Sequence, residues 1–171
     1  VVNSRDELLM IKEMSGPAKA RNLWKLPGGL LGMHENIAEG VVREVLEETG
    51  LQCSYQRLAS IVESHQGTGP MRETCSDLYC ISVLSAVDES QELVPQEQEI
   101  EQCAWIPLSE ALSFPLYAPK AVFGESFRSA LRVRNQLLQS DNKFSGGMMS
   151  ETFPVGIVSR VANVLYCQTT E

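Results

Sequence analysis

The chain has 171 residues, 43% of them apolar, and a formal net charge of −8. That length fits one domain, and the apolar fraction is enough for a core. The acidic balance disfavours nucleic acid and anionic membrane surfaces as partners, since both select basic patches, and no apolar run approaches the length of a membrane span.

In chain order, Val1-Val2 reads as the end of a strand already under way, and no initiator Met precedes it. An N-terminal fragment is therefore expected, with any targeting segment lost. Glu7 to Glu13 (ELLMIKE) is a strand after an Asn3-Ser4-Arg5-Asp6 turn. Met14 to Arg21, with Gly16 and Pro17, reads as a loop, and Leu23 to Leu26 as a short strand. A Pro27-Gly28-Gly29 turn leads to a helix over Ile37 to Thr49. Asn36 is its N-cap, Glu39 the capping-box acid, and Gly50 the residue at positive φ that ends it. At about 100° per residue, Ala38, Val41, Val42, Val45 and Leu46 share one arc. Gly40, Arg43, Glu44, Glu47 and Glu48 are assigned to the other side.

Cys53 to His65 reads as a long strand and Gln66 to Thr74 as a glycine-containing loop. Asp77 to Val87 has the strongest signature of a buried strand. Asp88 to Gln98 is polar and acidic. Ile100 to Ile106 is a strand, and Pro107 to Leu112 opens a short helix. Gly124 to Gln139 is a second long helix, Ser140 to Ser150 a Ser/Gly loop, and Val155 to Cys167 a last strand. Strands with two main helices predict an α/β (α+β) fold in helix–sheet–helix layers. Residues 1–139 are expected to form one domain, with 140–171 a loop and strand packing on it.

Glu44 and Glu48 are helical neighbours one turn apart, with Glu47 beside both. Gly40, one turn before Glu44, is expected to leave that carboxylate unshielded. Two unit charges about 6 Å apart repel by roughly 3 kcal/mol at an effective dielectric of about 20. A partly buried cluster therefore favours a bound hard cation such as Mg²⁺ or Mn²⁺, or a protonated carboxyl. A solvated acidic face is the other reading, at a few tenths of a kcal/mol per pair. Arg43 is one turn before Glu47 and can hold its carboxylate.

The segment Gly29 to Leu51, GLLGMHENIAEGVVREVLEETGL, resembles the Nudix box, G-x5-E-x7-R-E-U-x-E-E-x-G-U, where U is bulky and aliphatic. Gly29, Glu35, Arg43, Glu44, Val45, Glu47, Glu48, Gly50 and Leu51 match every fixed position. The resemblance implies a mixed β-sheet sandwiched between helices. It also implies Mg²⁺- or Mn²⁺-dependent hydrolysis of a nucleoside diphosphate linked to a group X, a small-molecule nucleotide. Glu44, Glu47 and Glu48 become metal ligands, joined by the carbonyl of Gly28. Arg43 becomes their orienting partner, and Glu35 supports the loop.

Outside the box, Trp24-Lys25-Leu26-Pro27-Gly28-Gly29, Ser76 to Tyr79 and Glu99 to Leu108 resemble one branch of that family. It contains plant ADP-ribose/NADH pyrophosphatases and an animal member encoded antisense to a fibroblast growth factor gene. Several members use a Glu outside the box as base or further ligand. Glu99 is the match, with Glu97 in reserve; a solvated loop acid is the alternative, and Glu47 would then be the base. The acidic loop before Glu99 is expected to act as a mobile lid. Trp24 and Tyr79 could stack on a purine or sit in the core. Arg72 could reach a phosphate or stand in solvent. His65 could be a base but reads better as structural.

The signature of NADH-selective members and that of coenzyme A members are absent, so X stays open. Five cysteines without CxxC spacing favour reduced, mostly buried thiols and an intracellular, cytoplasmic protein, with organelle targeting left open. A homodimer is compatible with the sequence, which leaves the oligomeric state open. The alternative function is a catalytically idle binding module on the same fold; mRNA decapping is disfavoured by the charge.

Overall fold

The run Leu8-Leu9-Met10-Ile11 carries no polar side chain, and all four are buried at the centre of strand β1 (Glu7–Glu13). This computed structural model describes residues 1–64, 77–119, 121–139, 146–154 and 161–169. After β1 come α1 (Gly16–Ala20), α2 (Ile37–Thr49), β2 (Cys53–Ser64), β3 (Asp77–Ala86), β4 (Ile100–Pro107) and α3 (Leu108–Ala111). A 3₁₀ turn (Pro115–Tyr117), α4 (Val122–Gln139), β5 (Gly146–Pro154) and β6 (Val161–Thr169) complete the chain. The chain folds as two interleaved units, one of Val1–Gln56 with Leu84–Phe114, the other of Arg57–Val83 with Pro115–Glu171.

In the first unit β1 pairs antiparallel with β4, placing Leu9 opposite Trp105 and Ile11 opposite Cys103. Alternation along a strand sends Leu9 and Ile11 to one face and Leu8, Met10 and Lys12 to the other, and the register shifts between Lys12 and Glu13. Leu9 joins Val45, Leu51 and Leu84 in a core, against which Val41, Val42 and Trp105 pack. α2 therefore lies on the Leu9 face. Its ends are set locally. The Asn36 side chain accepts from the Glu39 N–H, Glu39 accepts in return from the Asn36 N–H, and Gly50 closes the helix at φ 72°.

The arc of α2 differs from the expected one at two residues. Leu46 is 44% exposed, whereas Glu48 is buried at 6%. Glu48 follows Val41 by seven residues, close to two full turns, so it shares the Val41 face rather than the solvent side.

Two short segments also differ. Residues 16–20 form α1, not a loop, with Pro17 in the first turn, where its fixed φ suits a helix start. The expected strand Leu23–Leu26 shrinks to a single bridge between Ile11 and Lys25. Pro27 has no N–H to extend the ladder, and Gly28 turns the chain at φ 150°.

In the second unit the sheet order is β3-β2-β6-β5. β6 pairs antiparallel with both neighbours: Ser60 stands opposite Tyr166, and Gly146 to Pro154 run against Thr169 to Val161. α4 packs on β6. Its small residues allow close approach to β2. The Ser60 hydroxyl donates to the Ser126 carbonyl at 3.4 Å, and the Ser129 hydroxyl to the Ala59 carbonyl at 3.3 Å. Phe127, Ala130 and Val133 are buried, with the Tyr117 ring 5.0 Å from that of Phe127. β5 begins at Gly146, inside the stretch expected to be loop, because pairing with β6 supplies partners that no local signal announces. The last strand is Val161–Thr169; residues 155–160 of the expected one lie outside the described residues.

Each unit thus lays a helix on antiparallel strands, an α/β architecture of the expected class. Among the described residues no helix is long and apolar enough to cross a membrane.

Candidate active site

The turn at Gly28-Gly29 lies against the polar side of α2: Gly28 is required by its φ of 150°, and Gly29 by close contact. The Gly28 N–H donates to Glu48 Oε2 at 2.7 Å. A Cβ on Gly29 would stand 2.7 Å from the Glu44 carboxylate, so no other residue fits without displacing it. The loop that follows folds back onto the helix. A Cβ on Gly40 would lie 2.2 Å from Leu31 Cδ2 and 3.1 Å from Glu35 Oε2. The absent side chain at Gly40 therefore makes room for the loop. That replaces the expected role of leaving Glu44 uncovered.

Arg43 is the hub. Its Nε and Nη2 grip the two oxygens of Glu35 at 2.7 and 2.8 Å, a bidentate pair. Nη1 reaches Glu44 Oε1 at 2.9 Å and Glu47 Oε2 at 3.0 Å, and Nη2 also donates to the Leu30 carbonyl at 3.1 Å. One guanidinium thus orients two expected ligands and ties down the loop. Glu35 in turn accepts from the Gly32 N–H at 2.7 Å. The Arg43 hydrogen bonds, then this backbone donor, hold its carboxyl down at about 2. The three carboxylates keep Arg43 firmly charged.

Glu48 is the opposite case. Burial pushes its carboxyl up to about 7. The Gly28 N–H and the Lys25 charge favour the ionised form, while Glu44 and Glu13 oppose it. A buried carboxylate with that much resistance to ionisation suits a bound cation.

A cavity of about 290 Å³ opens at Glu48, lined also by Glu13, Ser15, Gly16, Glu99 and Ile100. Glu99 thus borders the same cavity as a carboxylate of the box. Its loop is tethered rather than free. The Val94 N–H donates to the Thr49 carbonyl at 2.8 Å and the Gln96 N–H to that of Glu48 at 3.3 Å, while the Met14 N–H takes the Glu99 carbonyl at 2.8 Å. The expected mobile lid is in this structure a strap fastened to the end of α2 and to the end of β1.

The expected substrate contacts fall in different places. Trp24 neighbours Lys25, which is paired with Ile11, so Trp24 projects to the face opposite Ile11 and α2. There the Lys12 ammonium sits 5.0 Å over its ring. Tyr79, in the second unit, is 43% exposed and meets Phe123 edge-on at 5.2 Å. Arg72 and His65 lie outside the described residues. Cys53, Cys80 and Cys103 are unbridged and half-buried, and burial raises each thiol. The spacing of the box contained no sign of Glu13, which lines the cavity from the end of β1, or of Lys25, which pairs with it.

Glu44, Glu47, Glu48 and the Gly28 carbonyl are all oxygen donors, and the strained charge on Glu48 fits a hard divalent cation. Among the described residues, no three acidic, His or Cys side chains converge into a ready cage. Arg43 holds oxygens of Glu44 and Glu47 instead.

Comparison with known proteins supports the same assignment. Residues 1–127 match the NUDIX domain. The chain is 30% identical to Nudix hydrolase 5 of Arabidopsis thaliana over 150 residues, 88% of this chain and 47% of that protein. It is 35% identical to Nudix hydrolase 7 of the same plant over 109 residues, 64% of this chain and 37% of the relative. Against nucleoside diphosphate-linked moiety X motif 6 of Mus musculus it is 39% identical over 90 residues, 53% of this chain and 28% of the relative. The chain spans less than half the length of these curated relatives. With the box intact from Gly29 to Leu51 and the match covering most of its length, the chain belongs to the Nudix hydrolase family.

Proposed function

We propose that the protein hydrolyses a nucleoside diphosphate linked to a second group X, at the pyrophosphate, with Mg²⁺ or Mn²⁺. The observation that carries this reading is the buried Glu48 carboxylate facing a cavity shared with Glu99, beside a Gly28-Gly29 turn that touches Glu44 and Glu48. Glu44, Glu47, Glu48 and the Gly28 carbonyl would hold the cation. When bound, it would offset charge on the phosphate oxygens and lower the pKa of water. Arg43 orients Glu44 and Glu47 from one guanidinium. Glu99 takes a proton from the attacking water, with Glu47 the alternative base. An ADP-ribose or NADH-like substrate is favoured by the resemblance of the segments 24–29 and 99–108 to that branch.

Phosphate-bond cleavage of ADP-ribose, NADH, FAD, diadenosine polyphosphates and 8-oxo-dGTP, each with and without Mg²⁺ or Mn²⁺, tests the reading. A second reading, a binding module without turnover, draws support from Arg43 occupying Glu44 and Glu47 rather than leaving them convergent. Nucleotide binding with no metal-dependent cleavage of any of these would favour it.

A further inference from the structure

Lys25 and Glu13 belong to no part of the box, yet Glu13 lines the cavity at Glu48 and Lys25 is paired with it. Ile11 and Lys25 exchange backbone hydrogen bonds of 2.9 and 3.0 Å, so Lys25 projects to the same face as Ile11. Glu13, two residues along β1 and past a shift in register, meets the Lys25 side chain. Their side chains form an ion pair, each about one quarter exposed. Glu13 lines the cavity with Glu48 and Glu99. The next residue, Met14, holds the Glu99 backbone.

We propose that Lys25 is a positioning residue for the hydrolase reaction: by neutralising Glu13 on the cavity wall, it keeps the site's cation on the box carboxylates of α2. Glu13 would otherwise be an oxygen donor on the same cavity as Glu48. Glu13 and Glu48 already line one cavity, and with Glu13 unpaired a cation could settle between them, away from Glu44 and Glu47. Pairing with Lys25 removes Glu13 from that competition and leaves the local charge balanced. The proposal rests on the hydrolase reading for its effect on rate, but not for its effect on cation binding.

The test is a set of three variants, Lys25→Gln, Glu13→Gln and the double variant, with direct Mn²⁺ titration followed by electron paramagnetic resonance. Turnover of whichever substrate the wild type cleaves is read in parallel. One unbalanced charge near a cation site shifts affinity by about tenfold at effective dielectrics near those of protein surfaces. Lys25→Gln should tighten Mn²⁺ binding by about that factor while lowering kcat by a similar factor, because the tighter site is misplaced. Glu13→Gln should weaken Mn²⁺ binding, and the double variant should return both quantities to within about twofold of wild type. A merely structural ion pair would lower stability in both single variants and move Mn²⁺ affinity in neither. Shifts of the same sign in both, or no recovery in the double variant, overturn the proposal. If the wild type cleaves nothing, the hydrolase reading fails, and the opposite Mn²⁺ shifts still decide the role of Lys25.

Discussion

Arg43 holds Glu35 by two parallel hydrogen bonds, 2.7 and 2.8 Å, across eight residues of sequence. The pair closes the loop of the box onto its own helix and sets the arm that reaches Glu44 and Glu47. Glu35→Gln keeps the shape but loses the charge-assisted fork. It should lower kcat/KM by about tenfold to a hundredfold, with KM changed less than kcat, because the lost quantity is orientation. Arg43→Lys should do the same, since an ammonium cannot make the fork. Because the folded pKa of Glu35 is depressed to about 2, its contribution is present above the unfolded value of 4.5 and lost as pH falls through about 2. Acid unfolding of Glu35→Gln, followed by circular dichroism, should lack that component.

Glu48 gives the opposite sign. Its folded pKa is raised from 4.5 to about 7, so the stability linked to its neutral form is full below about 4.5 and lost as pH rises through about 7. Metal-free wild type should therefore become less stable between those values, by on the order of 3 kcal/mol. Glu48→Gln should lack this slope and melt higher than wild type at pH 8, while its kcat falls by on the order of 10²-fold or more. Melting curves across pH, with chelator present, check the first part. A Glu48→Gln variant with wild-type kcat at saturating Mg²⁺ would remove Glu48 from the ligand set.

Adding Mn²⁺ should offset the same penalty. A cation that binds only the folded state stabilises by about 2.7 kcal/mol at a hundredfold excess over Kd. Differential scanning calorimetry should show the melting temperature rising with Mn²⁺ in wild type and much less in Glu48→Gln.

Two glycines of the box should fail for different reasons. Gly29→Ala puts a methyl 2.7 Å from the Glu44 carboxylate, which must turn away. Its stability should change little and its kcat fall by about tenfold or more. Gly40→Ala collides with Leu31 at 2.2 Å and crowds Glu35. The loop must then lift, at about 1–3 kcal/mol. Paired melting and kinetic measurements separate the two effects.

Glu99 borders the cavity of Glu48, whereas Glu97 is not among its lining residues. Glu99→Gln should lower kcat with little change in affinity for a nonhydrolysable ADP-ribose analogue; Glu97→Gln should be near neutral. If both are harmless, the base is in the box, at Glu47. Since the loop is fastened by the Val94, Gln96 and Glu99 backbone, Glu99 needs no large closing movement to act.

How much could be read without coordinates followed the range of the interactions. The helix Ile37–Thr49 was legible to the residue because its signals are local: Asn36 and Glu39 cap each other three residues apart, and Gly50 ends it by its own φ. The box carboxylates were legible as a pattern because helical geometry alone brings Glu44, Glu47 and Glu48 together. Their different surroundings were not. Burial of Glu48 depends on its place two turns after Val41, against the Leu9 and Trp105 layer, while Glu47 on the next residue back stays half exposed. The helix α1 was missed because a five-residue helix has too short a period to recognise. β5 was missed because a strand containing Gly146 and Gly147 is specified mainly by its partner β6.

The sequence by itself determined the family, the helix of the box and the carboxylates that helix carries, since these depend on residue identity at fixed short spacings. Tertiary structure alone decided which carboxylate is buried, and that Glu13 and Glu99 line the same cavity as Glu48. Those relations join residues from distant parts of the chain, and only the packing of β1 and the strap on α2 brings them within range.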